Sequence, residues 1–199
     1  MSSSQPLVET LAADLQPYLD RPYAFFGHSL GALIAFEIAR QLEQSPQSNL
    51  IHLFVSAHAA PQIANTDPPI HQLPQADFIR KIADLNGTPD EILHHAEMME
   101  LLYPILRADF AINETYSYRP GPALACPISA TGGLRDSMVT RPELEAWAEQ
   151  THGPFAMRMF PGSHFFLNEV RPLLLRILAQ DLLQSLSRFQ GNPASHGFS

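Results

Sequence analysis

The residues of this chain best suited to chemistry sit in Gly27-His28-Ser29-Leu30-Gly31, a serine with a glycine two positions to either side. Before it runs a short apolar stretch, Tyr23-Ala24-Phe25-Phe26, and after it an almost wholly apolar run to about Leu42. A strand, a tight turn carrying serine and a helix form a nucleophile elbow, with the serine in a strained conformation and the glycines leaving room for strand and helix to approach. Ser29 Oγ then stands exposed above the sheet at the positive end of the helix, and the Leu30 N–H points the same way as an oxyanion donor.

A serine hydroxyl needs a base, and the base needs a partner that fixes its tautomer. On a strand–turn–helix elbow these follow in the order Ser, Asp or Glu, His, each in a loop after a strand. Asp136 and His164 fit that order. The first interval leaves room for a helical insertion and the second for one helix and one strand. Of the nine histidines, His28 lies within the elbow, His52, His58 and His71 precede the aspartate, and His94 and His95 are adjacent and cannot share a helix face. His152 precedes a strand and His196 lies in the polar tail, so His164 alone follows a strand in the expected place. Asp109, Glu114, Glu143 and Glu145 compete with Asp136 for the acid. No histidine or cysteine spacing supports a metal site, and no cofactor is expected. Cys126 opens a strand and is read as a packing residue.

The elements that must position these residues alternate. Leu7, Val8, Leu11, Leu15 and Leu19 recur at helical spacing, and the strand Tyr23–Phe26, the elbow helix and the strand Leu50–Ala57 follow. Such alternation predicts an α/β fold with a mostly parallel sheet and helices on both faces. Between Pro61 and Pro122 the texture changes to proline-rich loops and short helices over Asp77–Leu85, Pro89–His95 and Met98–Tyr116. This block is too long for a simple crossover and reads as a lid over the site. The alternation resumes with a strand over Ala125–Gly133, a helix starting at Thr140, a strand over Phe155–Phe160 and an amphipathic helix from Val170 to about Phe189. The expected organisation is one domain over residues 1–199 with a lid insertion at about 61–122.

A hydrophobic fraction of 45% against 16% charged argues for a folded globular protein. Twenty acidic and twelve basic residues, a formal charge of −8, leave no basic cluster to neutralise phosphates, so nucleic acid is not expected as a partner. A single cysteine excludes an internal disulfide. The first residues lack the pattern of a signal peptide and no apolar run has the length to cross a bilayer, so a cytoplasmic protein without membrane partners is expected.

Several stretches together resemble the type II thioesterases that accompany nonribosomal peptide and polyketide synthases. They are Phe25-Phe26-Gly27-His28-Ser29-Leu30-Gly31-Ala32, Leu106-Arg107-Ala108-Asp109-Phe110 with Glu114-Thr115-Tyr116, Cys126-Pro127-Ile128 with Gly132, Gly133 and Asp136, and Phe160-Pro161-Gly162-Ser163-His164-Phe165-Phe166-Leu167. The similarity runs from about Leu7 to Leu183. It implies an α/β-hydrolase fold, a helical lid, and hydrolysis of acyl or aminoacyl groups from the phosphopantetheine arm of acyl or peptidyl carrier domains. Ser29, Asp136 and His164 match the family's triad positions. The alternative readings are a general carboxylesterase, or an inactive or weakly active fragment that binds carrier proteins. The family begins with a strand, a glycine-rich loop, a helix and a second strand that are absent before Leu7, so the chain reads as N-terminally truncated. By the resemblance, the missing loop would give the second oxyanion donor and the missing strand would cover Tyr23–Phe26. A weakly active monomer that associates through this exposed sheet edge is the expectation.

Overall fold

A computed structural model of the chain describes residues 4–45, 48–84 and 95–191. Four parallel strands, β1 (Tyr23–His28), β2 (Leu50–Ser56), β3 (Ile128–Gly133) and β4 (Phe155–Phe160), lie in the sheet in chain order. Every residue of β2 is buried, as expected of a strand covered on both faces. β1 is one of the two edge strands among those described, and Phe26 on it is 45% exposed.

Side chains alternate across the sheet. Phe25, Leu53, Val55, Ile128, Ala130 and Met157 point to one face, where they pack on α2 (Leu30–Leu42) and on α5 (Arg141–Glu145) with the 3-10 turn after it. Phe36 of α2 and Trp147 of that turn meet edge to face at 5.2 Å in the middle of this core. Outside α2 lies α1 (Gln5–Leu15), which buries Val8 and Ala12 against Ile38 and Leu42. The opposite face carries Phe160, the short α6 (Phe166–Glu169) and α7 (Arg171–Gly191), joined through Phe166 and Leu174.

A polar network also fastens α7 to this second face. Arg158 of β4 donates twice to Asp181 of α7, at 2.6 and 2.9 Å, and the Ser129 hydroxyl donates to the same carboxylate at 2.8 Å. With its proton committed there, Ser129 accepts from His52 Nε2 at 3.0 Å, which leaves His52 Nδ1 to accept from Ser185 Oγ at 2.8 Å. Burial lowers the His52 pKa to about 4, so the ring is neutral, as this network requires.

Between β2 and β3 the chain leaves the sheet and forms α3 (Gln75–Asp84) and α4 (Ala96–Glu114). The helix expected over Pro89–His95 lies outside the described residues except for His95, which caps α4. α4 runs continuously through Pro104.

Three elements differ from the sequence-based expectation. The first helix begins earlier and yields to a 3-10 turn at Gln16–Tyr18, because Pro17 cannot donate in the α pattern. The third strand begins at Ile128 rather than Ala125: the N–H groups of Ala125 and Cys126 are taken by the Glu43 carboxylate, and Pro127 has none to offer. The last helix occupies its expected span as α7, with Pro172 in its first turn, but the short helix α6 precedes it where a loop was expected. No described helix is long and apolar enough to cross a membrane.

Candidate active site

Ser29 occupies the step from β1 into α2 with φ 53° and ψ −128°, a strained conformation for a residue with a side chain. Its N–H donates to Ser56 O at 2.8 Å, which ties the turn to the end of β2. The Ser29 side chain makes no capping bond to α2, so the hydroxyl is not spent on the helix. Leu30, first in α2, contributes one of the N–H groups that a helix start leaves without an internal partner, and it lines the cavity above Ser29. The two glycines are not equivalent. A Cβ on Gly27 would lie 2.1 Å from Gly31 O, whereas one on Gly31 would meet open space, so only Gly27 is demanded by close approach.

Asp136 and His164 come from the loops after β3 and β4, and backbone bonds stitch these loops together. Leu134 N–H donates to Phe160 O at 2.7 Å and Arg135 N–H to Gly162 O at 2.9 Å. The loops touch so closely that a Cβ on Gly133 would fall 2.2 Å from Ser163 O. Within this frame Asp136 Oδ1 accepts from Met138 N–H at 2.9 Å, and Oδ2 lies 2.9 Å from His164 Nδ1. His164 Nε2 lies 3.0 Å from Ser29 Oγ. Because the carboxylate can only accept, Nδ1 carries the proton and Nε2 is the acceptor for the serine hydroxyl. The Asp136 side chain is fully shielded from solvent and that of His164 is 6% exposed.

Two of the competing acids are engaged elsewhere. Glu143 accepts the Thr140 N–H at 2.7 Å in a capping box, and Glu114 accepts the N–H groups of Ile70 and His71. Asp109 lines the same cavity as the triad, where burial raises its pKa. Cys126 is buried, which together with the Glu43 charge pushes its thiol up to about 12 and makes it inert as a nucleophile. Among the described residues no cluster of histidine, cysteine, aspartate or glutamate could hold a metal.

The cavity over Ser29 and His164 measures about 990 Å³. Ile34 and Ile38 of α2, Ile82 of α3, Leu106 and Phe110 of α4 and Phe165 make it largely apolar. Sequence reasoning missed two residues at its margin. His58, just after β2, is partly buried, and its desolvation lowers its pKa. Its Nδ1 lies 2.7 Å from Ala59 O and its Nε2 2.9 Å from the Asn113 carboxamide Oδ1. This bond joins the end of α4 to the sheet across a sequence separation of 55 residues, which no local pattern reveals.

The profile described as thioesterase domain matches residues 1–182. Over 182 residues the chain is 44% identical to the gramicidin S biosynthesis protein GrsT of Aneurinibacillus migulanus, covering 92% of this chain and 71% of that protein. The chain belongs to the thioesterase family. This thioesterase is also 40% identical to thioesterase PikA5 of Streptomyces venezuelae, covering 85% of this chain and 60% of that one. Among solved structures it is similar to the type II thioesterase BorB of the borrelidin biosynthetic cluster, with a TM-score of 0.84, 40% identity and coverage of 92% of this chain and 74% of that chain. It is similar too to the RedJ thioesterase of the prodiginine pathway in Streptomyces coelicolor, with a TM-score of 0.84, 37% identity and coverage of 90% and 72%. The thioesterase thus has the α/β-hydrolase fold and is an enzyme of thioester hydrolysis.

Proposed function

We propose that this thioesterase removes acyl or aminoacyl groups from the phosphopantetheine arm of carrier domains in nonribosomal peptide or polyketide assembly, by way of an acyl-serine. Ser29 Oγ attacks the thioester carbonyl while its proton passes to His164 Nε2, and the new oxyanion is met by the Leu30 N–H. Collapse breaks the C–S bond, and His164 gives its proton to the departing pantetheine sulfur. Water then attacks the acyl-serine with His164 as base, and the proton returns to Ser29 Oγ as the free acid leaves. Asp136 keeps His164 in the Nδ1–H tautomer and steadies the imidazolium in both halves of the reaction.

The observation that carries this reading is the pair of His164 contacts, 2.9 Å to Asp136 and 3.0 Å to Ser29, beneath an apolar cavity. Residues 61–122 serve as the lid: α3 and α4 wall the cavity, and a carrier arm needs an opening between them and α2. The test compares an acyl-carrier protein, the matching acyl-pantetheine and the p-nitrophenyl ester of the same acid, with product acid read by mass spectrometry. The carrier-bound thioester should be hydrolysed with the highest kcat/KM. A preference for the simple ester would overturn the substrate assignment, and turnover by Ser29→Ala would overturn the mechanism.

A further inference from the structure

His28 ends β1 immediately before Ser29, and alternation along the strand turns its side chain away from Phe25 and toward the face that carries the His164 loop. Its ring centroid lies 5.2 Å from that of His164, tilted by 53°, and 5.4 Å from that of Phe165. Its Nδ1 lies 2.9 Å from the hydroxyl of Ser56, its own register partner on β2, and Ser56 is fully buried. The other ring nitrogen, Nε2, is enclosed and has no hydrogen-bond partner among the described residues. An imidazole held by one nitrogen, with the second sealed from water, is a costly way to fill space next to a strained turn.

Resting on the reading of His164 as the base, we propose that His28 is a positioning residue for it. The Ser56 hydroxyl fixes the plane of the His28 ring, and that ring buttresses the His164 imidazole so that Nδ1 meets Asp136 and Nε2 meets Ser29 at the same time. Phe165, 5.1 Å from His164 at 85° and 5.4 Å from His28, completes a triangle of three rings in mutual contact. His164 thereby rests against two rings that also brace each other, each borne on backbone that the strands and the stitched loops hold in place. The buttress must also be uncharged, since a cation there would oppose the imidazolium formed in each proton transfer. It meets that demand: burial, reinforced by His164 and opposed by Asp136, lowers the His28 pKa to about 4.

The test uses His28→Ala, His28→Phe and His164→Ala, each checked for folding by thermal unfolding. Two readouts are kinetics on an acyl-pantetheine and the downfield proton NMR signal of His164 Nδ1–H in its bond to Asp136. Misplacing a reacting group by about 1 Å costs on the order of 10²-fold. His28→Ala should therefore lower kcat by about 10- to 100-fold with KM nearly unchanged, and should broaden or abolish the Nδ1–H signal. His28→Phe, which restores a flat ring, should recover most of kcat and the signal. If His28→Ala does not fold, His28→Leu fills the space without a flat ring and carries the same expectation. An unaltered kcat, a loss confined to KM, a loss of kcat with the signal intact, or a Phe variant as poor as Ala each overturns the proposal. Hydrolysis surviving His164→Ala would instead remove the reading of the base, which keeps the two failures distinct.

Discussion

Gly27 faces the carbonyl of Gly31 across the elbow with no space between them: a Cβ on the first would stand 2.1 Å from the oxygen of the second. The obstructing atom is backbone, so no side chain can move aside. Gly27→Ala should therefore destabilise the protein by about 3 kcal/mol or more, above the ordinary range for overpacking. Gly31→Ala has open space around it and should raise helix stability by about 0.5–1 kcal/mol. Urea unfolding midpoints of the two variants compare them directly, and equal losses would contradict this asymmetry.

Asp136→Asn keeps the shape of the side chain but offers His164 Nδ1 an amide in place of a carboxylate. By analogy with other serine triads kcat should fall by about 10⁴-fold while the fold survives. Labelling of Ser29 by a serine-reactive phosphonate should slow in parallel. A variant within tenfold of the parent would mean that Asp136 does not orient the base.

Acid should loosen the protein before its carboxylates titrate. His28 and His52 have pKa values lowered to about 4 from an ordinary 6.5, and His58 is lowered as well, each chiefly by burial. Between those limits the unfolded chain binds protons that the folded chain refuses, so stability is complete above about pH 6.5 and falls as the pH drops toward 4. From pH 7 to pH 5 each of the two rings accounts for about 2 kcal/mol. Urea midpoints across this range should fall accordingly. His52→Gln should start from a lower midpoint and show a shallower decline, and identical wild-type midpoints at pH 7 and 5 would refute the argument.

The C-terminal end of α4 is clamped. Glu114, with a side chain 8% exposed, accepts from Ile70 N–H at 2.8 Å, His71 N–H at 3.0 Å and His71 Nδ1, while Tyr116 donates to Glu37 of α2 at 2.5 Å. If α3 and α4 act as the proposed lid, motion is therefore expected in α3 and the first half of α4, with this end as the pivot. Bonds to a charged acceptor contribute about 1.5–3 kcal/mol each. Glu114→Gln should speed amide exchange at Ile70 and His71 by at least about tenfold and leave β2 untouched. Exchange unchanged at Ile70 and His71 would show that the clamp does not hold this loop.

What the sequence made legible was local. Apolar runs of strand length gave β1 and β2, the glycine-flanked serine gave the elbow, and chain order singled out Asp136 and His164, which the fold sets within hydrogen-bond reach of each other. What it hid depends on partners distant along the chain. The start of β3 shifts because Glu43, from the end of α2, claims its first N–H groups, and α7 is fastened by Arg158, Ser129 and His52 from three different strands. The packing of His28 against His164 is of the same kind. Its neighbour Ser29 advertises the site, but strand alternation and register, rather than sequence proximity, determine what the ring touches.

Because the strands lie in the order β1-β2-β3-β4, each new strand joins the edge completed just before it, and the sheet can grow outward as the chain emerges from the ribosome. The serine arrives with the first strand and the histidine only after the fourth, 135 residues later. At about 5–20 residues per second this interval lasts roughly 7–27 s. On the proposed mechanism, the nascent chain carries a serine on its strained turn throughout it with no base beside it, and hydrolysis waits until β4 has docked.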